Sequence, residues 1–269
     1  MTPNGEGFRS GGLTGARVLV PRGGAWGERV SREIERRGGR AVVAPLIASA
    51  PPRDTAARDR AFATLAAGEY EWLFVTSAAG VEQLVAQGIS VPRETRIATV
   101  GQGTASALAE SGASASFVPA GASSAAAMIA QWSVGRSAAA TGRCLVLRSD
   151  LAAAVVSDEL EAQGYGVDVC IGYRTVGLDL SAATAEALRT GAIDVVLLTS
   201  LSVARELRRQ VGALDSRTLV ASIGPGTTKD AERLGFQVGY TAQTQTVDAL
   251  LAELDARVPR IDPGSEDPR

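Results

Sequence analysis

The sequence predicts an α/β protein whose parallel sheets carry helices on both faces. Several short runs, such as 72–75 and 195–198, are apolar at every position instead of alternating apolar with polar residues. Strands of this kind are typical of a sheet that is covered on both sides. An Ala-rich helical pattern follows nearly every run, and this alternation predicts a doubly wound fold with right-handed crossovers.

A long internal repeat gives the same indication. Segment A, residues 17–43, matches residues 143–169 without a gap at an offset of 126 positions. Segment B, residues 72–117, matches residues 195–240 at an offset of 123. The chain therefore reads A, B, A′, B′, and a repeat of this size corresponds to a whole small domain. Two similar domains predict a cleft, and we expect the function there.

The individual elements follow from the same patterns. Strands are predicted at 17–21, 41–48, 72–76, 97–100, 115–118, 144–148, 167–173, 194–198, 219–223 and 237–240. Helices are predicted at 26–37, 56–67, 79–87, 104–111, 123–132, 152–163, 181–190, 201–211, 227–234 and 246–257. Most helices are followed by a glycine suited to a left-handed cap, namely Gly38, Gly68, Gly88, Gly112, Gly164, Gly191, Gly212 and Gly235.

Two divisions into domains are compatible with these elements. A domain of A with B would end in the small-residue stretch 133–142. Alternatively, the extended runs 42–52 and 167–176 cross side by side between the domains, and residues 53–171 form one continuous domain. Both runs are longer than an average strand, which favours the second division.

Composition excludes several classes of function. The 269 residues are 45% hydrophobic with a formal net charge of −2, which describes a globular protein that binds neither nucleic acid nor a membrane surface. There is no run of about 18 apolar residues and no signal-peptide core, so a cytoplasmic protein is expected. The complete lack of histidine excludes Ser-His triads and most zinc sites. Cys144 and Cys170 lie in apolar runs and are predicted to be buried thiols.

The residues that follow the predicted strands are hydroxyls, glycines and arginines. In an open parallel sheet, ligands bind beyond the carboxyl ends of the strands, where backbone N–H groups and arginines hold anions. The same residue types also cap helices and form turns, so each one has a purely structural alternative. The glycine patterns at 101–106 and 224–229 lack the third glycine of a dinucleotide fingerprint. Without a triad or a carboxylate pair, an enzyme of this kind would work mainly by holding a reactive substrate in shape.

The sequence resembles the uroporphyrinogen-III synthase family over residues 15–257. The order and spacing of several loose motifs carry the resemblance: Val18-Leu-Val-Pro-Arg22, Pro45-Leu46, Trp72-Leu-Phe-Val-Thr-Ser77, Val100-Gly-Gln-Gly-Thr-Ala105, Phe117-Val-Pro119, Leu145-Val-Leu-Arg148, Tyr173-Arg-Thr175, Thr199-Ser200, Ile223-Gly-Pro225 and Thr227.

The resemblance implies two flavodoxin-like domains joined by a two-stranded antiparallel linker. The implied division is 15–50 plus 176–258 for one domain and 53–171 for the other. Composition separately predicts disordered tails at 1–14, which is rich in Gly, Ser and Thr, and at 259–269, which combines prolines with charges. The resemblance also implies an enzyme without a cofactor, expected to be a monomer. The implied substrate is hydroxymethylbilane, a linear tetrapyrrole polycarboxylate, which is cyclised with inversion of ring D and loss of water.

The family's site residues are carried over position by position. Tyr173 is the candidate to assist departure of the hydroxyl, with Thr104 and Thr227 as further catalytic candidates. The substrate-binding candidates are Arg22, Ser77, Gly101, Arg148, Ser200 and Gly224. Ala79 stands where many relatives have a basic residue, so no carboxylate contact is expected there. The main alternative is a two-domain ligand-binding regulator without activity; a dinucleotide oxidoreductase is a third hypothesis, which the broken glycine patterns disfavour.

Overall fold

The computed structural model describes residues 12–121, 123–133 and 142–256, which form a mixed α/β fold with parallel sheets. Ten strands lie in the described residues: β1 Arg17–Val20, β2 Arg40–Val43, β3 Ile47–Ala50, β4 Trp72–Val75, β5 Arg96–Thr99, β6 Arg143–Ser149, β7 Gly166–Gly177, β8 Val195–Leu198, β9 Leu219–Ser222 and β10 Tyr240–Thr241. So do ten helices: α1 Gly24–Arg36, α2 Thr55–Ala66, α3 Ala78–Ala86, α4 Gln102–Glu110, α5 Ala125–Ser133, α6 Val155–Ala162, α7 Ala182–Arg189, α8 Leu201–Val211, α9 Pro225–Arg233 and α10 Val247–Ala256.

The chain divides into two compact units, each with one five-stranded sheet. Unit 1 comprises residues 1–48 and 177–269, and its strand order is β10-β9-β8-β1-β2. Unit 2 comprises residues 49–176, and its strand order is β3-β7-β6-β4-β5. Neighbouring strands from β10 to β2 and from β7 to β5 run parallel. Each sheet therefore combines segments that are distant in sequence.

Each sheet combines segments from both copies of the repeat. Strands of segment A pair with strands of B′ in unit 1, and strands of B pair with strands of A′ in unit 2. The strands of A and the strands of B thus lie in different sheets. Residues 134–141 of the stretch considered as a domain boundary lie outside the described residues.

Helices cover both faces of each sheet, as the continuous apolar runs predicted. In unit 1, Val195 and Leu197 of β8 face one core together with α1 and α10, whereas Val196 and Leu198 face the other with α7, α8 and α9. All four side chains are fully buried. Burial of one such side chain stabilises the fold by about 1.5–3 kcal/mol. In a strand with two buried faces, the side chains of both faces contribute to the free energy of folding. Unit 2 repeats the arrangement, with α2, α3 and α4 on one face and α5 and α6 on the other.

All the predicted helices are present, and the glycines predicted to follow them have positive φ. Four of the predicted segments differ clearly from the structure. The strand expected at 237–240 is shortened and shifted to β10, Tyr240–Thr241. The strand expected at 41–48 is divided into β2 and β3, which belong to different sheets, and Pro45 lies between them. The strand expected at 115–118 is reduced to one bridge from Phe117 to Ala98. Residues 12–15 form a turn in which Leu13 is fully buried, so the predicted disordered tail is wrong for residues 12–14. Residues 1–11 and 259–269 lie outside the described residues.

Within the described ranges, no helix is long and apolar enough to cross a membrane.

Candidate functional site

The predicted site residues lie at the carboxyl edges of the two sheets, and four of them lie next to the positions where the strand order reverses. In unit 1, β2 lies on one side of β1 and β8 on the other, so the reversal is between β1 and β8. Arg22 follows β1, and Ser200 follows β8. In unit 2 the reversal is between β4 and β6, with Ser77 after β4 and Arg148 near the end of β6. Ligands of open α/β sheets bind at such positions.

Ser77 and Tyr173 are in direct contact in unit 2. The Ser77 Oγ and the Tyr173 hydroxyl are 2.8 Å apart, and Tyr173 is only 6% exposed. Ser77 is also the N-cap of α3, where its Oγ accepts the Gly80 N–H at 3.2 Å. Tyr173 is positioned by β7, which pairs with β6 and brings Tyr173 opposite Ser149. Two predicted site residues that are 96 positions apart thus share one hydrogen bond.

Gly101 and Thr104 lie together in the first turn of α4. Gly101 is the N-cap of this helix, and its carbonyl accepts the Thr104 N–H at 3.1 Å. Thr104 is buried, with 5% of its surface exposed. A Cβ on Gly101 would lie 2.6 Å from the Cβ of Ser123, so only glycine allows Ser123 to pack against this helix end.

Unit 1 repeats this arrangement at the start of α9. Gly224 is the N-cap, and the half-buried Thr227 lies in the first helical turn. A Cβ on Gly224 would lie 2.7 Å from the Cγ of Gln245. Ser200 caps α8 and accepts the Val203 N–H at 3.3 Å. Each unit therefore directs the N-termini of two helices to its strand ends, where exposed N–H groups and the helix dipole favour anions.

The two predicted arginines have different surroundings. The Arg22 guanidinium lies 5.2 Å from the centre of the Trp26 ring in unit 1, a cation–π geometry. The Arg148 guanidinium in unit 2 turns back to the chain, and its Nη1 donates to the Ala152 carbonyl. The Arg148 Nε is buried and has no hydrogen-bond partner in the described part of the chain. An unpaired buried donor is costly, so Arg148 has unused capacity for an acceptor.

The cysteines and carboxylates of the described residues provide neither a reactive thiol nor a metal site. Burial raises the pKa of the Cys170 thiol to about 12, with Arg58 opposing and Asp59 reinforcing the shift, so this cysteine stays protonated at neutral pH. Cys144 is fully buried. In the described ranges, no group of three or more Cys, Asp or Glu side chains is arranged to hold a metal ion. The strand ends thus offer hydrogen-bond donors and hydroxyls in place of a strong nucleophile.

Sequence reasoning missed Ser123 and Gln245. They occupy equivalent places, because each precedes a helix and packs on the N-cap glycine of the preceding one. The repeat could have revealed them, since 123 and 245 differ by nearly the same offset as the other pairs. Their residue types differ, however, and nothing in the local sequence marks a contact with glycine.

The fold and these strand ends define a class: a parallel α/β protein with two repeated sheets, each of which directs helix N-termini, hydroxyls and an arginine to its carboxyl edge. The model of the HEM4 family, described as uroporphyrinogen-III synthase HemD, matches residues 28–252. This is most of the chain, and the chain belongs to the uroporphyrinogen-III synthase family. No individually curated protein sequence matches it significantly.

Solved structures of this family share the fold. A mutant uroporphyrinogen III synthase from the extremely thermophilic bacterium Thermus thermophilus is 19% identical, with a TM-score of 0.58 over 90% of this chain and 98% of that one. The uroporphyrinogen-III synthetase from Helicobacter pylori is 14% identical, with a TM-score of 0.54 over 89% of this chain and 98% of that one. Family and fold agree on uroporphyrinogen-III synthase, an enzyme of tetrapyrrole biosynthesis, and a regulator without activity is not favoured.

Proposed function

We propose that the strand ends of the two units hold hydroxymethylbilane and direct its closure with inversion of ring D and loss of water. The observation that carries this proposal is the repetition of one arrangement in both units: helix N-termini capped by Ser77 and Gly101, and by Ser200 and Gly224. Carboxylates of a linear tetrapyrrole need such donors, because an unpaired carboxylate removed from water is costly.

We also propose that the units are flavodoxin-like domains joined by a two-stranded antiparallel linker. The order β2-β1-β8-β9-β10 in unit 1 supports this, since it is the flavodoxin order 2-1-3-4-5. In unit 2 the corresponding order is β7-β6-β4-β5, and the Phe117 bridge beside β5 stands in for a fifth strand. The strand order in unit 2 therefore corresponds to that in unit 1, although in unit 2 segment B precedes segment A′ in the sequence. The predicted boundaries, 15–50 plus 176–258 and 53–171, lie close to the limits of the two units.

In this proposal Tyr173 assists departure of the substrate's terminal hydroxyl. The Ser77 Oγ accepts the Gly80 N–H and also shares a hydrogen bond with the Tyr173 hydroxyl, in which either oxygen can be the donor. In the proposed step the Tyr173 O–H donates its proton to the substrate hydroxyl, which leaves as water and gives an azafulvene. The substituted carbon of ring D attacks this centre, and the resulting spiro intermediate reopens and closes with ring D inverted. The final closure releases the proton, so protons balance.

The remaining candidates enforce shape. Thr104 and Thr227 lie in the first turns of α4 and α9, where a larger side chain would intrude on the strand ends. The arginines Arg22 and Arg148 are proposed carboxylate partners. Conformational control is expected to exceed proton transfer in importance, because a substrate that closes spontaneously needs direction more than activation.

The experiment is a coupled assay that supplies hydroxymethylbilane and separates the products by isomer. Excess of the type III over the type I isomer, absent without the protein, is the expected result. A ratio equal to that of the uncatalysed reaction would contradict the proposal and favour a binding protein. The expectation that this lyase is a cytoplasmic monomer stays a prediction; light scattering on the purified protein tests the oligomeric state.

A further inference from the structure

A cavity lies within unit 2 alone and contains none of the residues discussed above as site candidates. Its volume is about 280 Å³. Its lining includes Val169, Cys170 and Ile171 of β7 and residues at the start of α2. An apolar cavity of about 150 Å³ already binds benzene, so this space is sufficient for one aromatic ring with a substituent.

The β7 residues 169–171 at the cavity are uncharged, and one of them is exposed. Val169 is 41% exposed, although most large apolar strand residues of this chain are buried. Cys170 is 2% exposed and its thiol is protonated. An exposed valine beside a buried thiol offers an apolar surface that water covers unfavourably.

Two arginines at the cavity have no counter-ion among the described residues. Arg53 and Arg174 line the space, and neither forms an ion pair there. The Arg174 Nε donates to the Pro51 carbonyl at 2.9 Å, which fixes its guanidinium beside the cavity. A third arginine, Arg58, is 8% exposed and already paired with Asp59 at 2.7 Å. The positive charge left for a ligand therefore resides on Arg53 and Arg174.

Two carboxylates limit the charge of a ligand. The Asp54 side chain accepts the Ala57 N–H at 2.8 Å, and the Asp150 side chain accepts the Thr175 N–H at 3.2 Å. Both are turned to backbone donors, yet both line the cavity. They would repel a polyanion, whereas a single negative charge can be matched by the arginines.

We propose that this cavity binds a small organic monocarboxylate with a flat apolar body. The body lies against Val169 and Ile171, and the carboxylate accepts charge-assisted hydrogen bonds from Arg174 and Arg53. A polycarboxylate such as the proposed substrate does not fit this description, so the inference is independent of the proposed function.

The test is titration of the full chain by calorimetry with benzoate, with neutral benzyl alcohol and inorganic phosphate as comparison probes. Benzoate is expected to bind with a millimolar Kd, and both other probes at least about tenfold more weakly. Arg174→Gln should weaken benzoate about tenfold, and Val169→Phe, which fills the cavity, should abolish binding. Arg60→Gln is the matched control, because Arg60 is an exposed arginine of α2 outside the cavity.

Each other outcome contradicts the proposal. If benzyl alcohol binds as tightly as benzoate, the site recognises only the apolar ring and not the carboxylate. If phosphate binds as tightly as benzoate, the site recognises only negative charge. Loss of binding in Arg60→Gln as large as in Arg174→Gln would exclude a specific site, as would no benzoate binding at millimolar concentration. If Val169→Phe does not fold, as judged by circular dichroism, Val169→Ala replaces it and should weaken binding by removing apolar contact.

Discussion

At the residue scale, Ser77 links helix capping to the proposed chemistry. One oxygen accepts the Gly80 N–H and also contacts the buried hydroxyl of Tyr173. Ser200 occupies the equivalent position in unit 1 and caps α8 in the same way. The two serines therefore provide a natural comparison between capping alone and capping with positioning of a tyrosine.

Ser77→Ala and Ser200→Ala should each destabilise the protein by about 1 kcal/mol through loss of the cap. Urea unfolding measures this. Only Ser77→Ala is expected to affect a rate that depends on Tyr173, so adding Ser77→Ala to Tyr173→Phe should change the rate little further. Fully additive effects on rate would mean that the two hydroxyls act independently.

Tyr173→Phe itself should keep the fold and reduce the rate less than about tenfold if shape control dominates. Positioned proton transfer would instead cost on the order of 10²-fold. Thr227→Trp or Thr104→Trp should be more damaging than Tyr173→Phe and should shift the products towards the type I isomer. Rate and isomer ratio are measured together; undiminished type III production by all three variants would remove these residues from the site.

At the element scale, the N-termini of α4 and α9 depend on close contacts that a side chain would block. Ser123 packs on Gly101 and Gln245 packs on Gly224. Both glycines have φ near 180°, so the requirement comes from space and not from backbone conformation. The loops before α5 and α10 are thereby held over the neighbouring helix ends.

Gly101→Ala and Gly224→Ala should therefore destabilise the protein, by about 1–3 kcal/mol as for other overpacked positions. Gly226→Ala is the control, because a Cβ there would meet no atom within 4 Å and alanine favours a helix. It should be neutral or stabilising. Thermal unfolding distinguishes these results, and equal effects of all three changes would contradict the contact argument.

The loop that follows β10 is held by Glu253 of α10. Its carboxylate accepts the Tyr240 hydroxyl at 2.7 Å and the Gln243 N–H at 3.0 Å. Burial opposes ionisation, but these hydrogen bonds prevail and lower the pKa of Glu253. A lowered folded-state pKa stabilises the protein above the unfolded value of about 4.3, and this contribution disappears as pH falls through the folded-state pKa.

Glu253→Gln should therefore lower the free energy of unfolding by about 1–2 kcal/mol at neutral pH and by less in acid, where wild-type Glu253 is protonated. Urea unfolding at both pH values measures the difference. The matched control is Glu232→Gln, a change at an exposed residue, which should leave the free energy of unfolding nearly unchanged at neutral pH. A constant effect of Glu253→Gln at both pH values would exclude a role for its charge.

At the scale of the whole molecule, one unit is continuous in sequence and the other combines both chain ends. Unit 2 has two cores of its own, built on β4 and β6 from residues within 62–170. A fragment 47–176, which keeps β3 complete, is therefore expected to unfold cooperatively by itself, as measured by circular dichroism on heating. A fragment 15–142, which contains A and B, should not fold, because its strands belong to two different sheets. The reverse result would contradict the predicted domains.

The sequence by itself determined the elements of this protein and their layered packing. Apolar runs such as 195–198 require cover on both faces, and a glycine such as Gly38 ends a helix by its own backbone freedom, so both signals are local. The motifs predicted the family, and the match of the family model over residues 28–252 confirmed that prediction.

Only the tertiary structure decided which segments share a sheet and which side chains meet. The repeat is the same whether A pairs with B or with B′, because local patterns contain no record of strand order, and only the sheets placed β1 beside β8. The contact between Ser77 and Tyr173 likewise requires β4, β6 and β7 to lie side by side. Pairings between distant segments arise from the packing of the whole unit, and for that reason the cavity beside Val169 could not be read from the sequence.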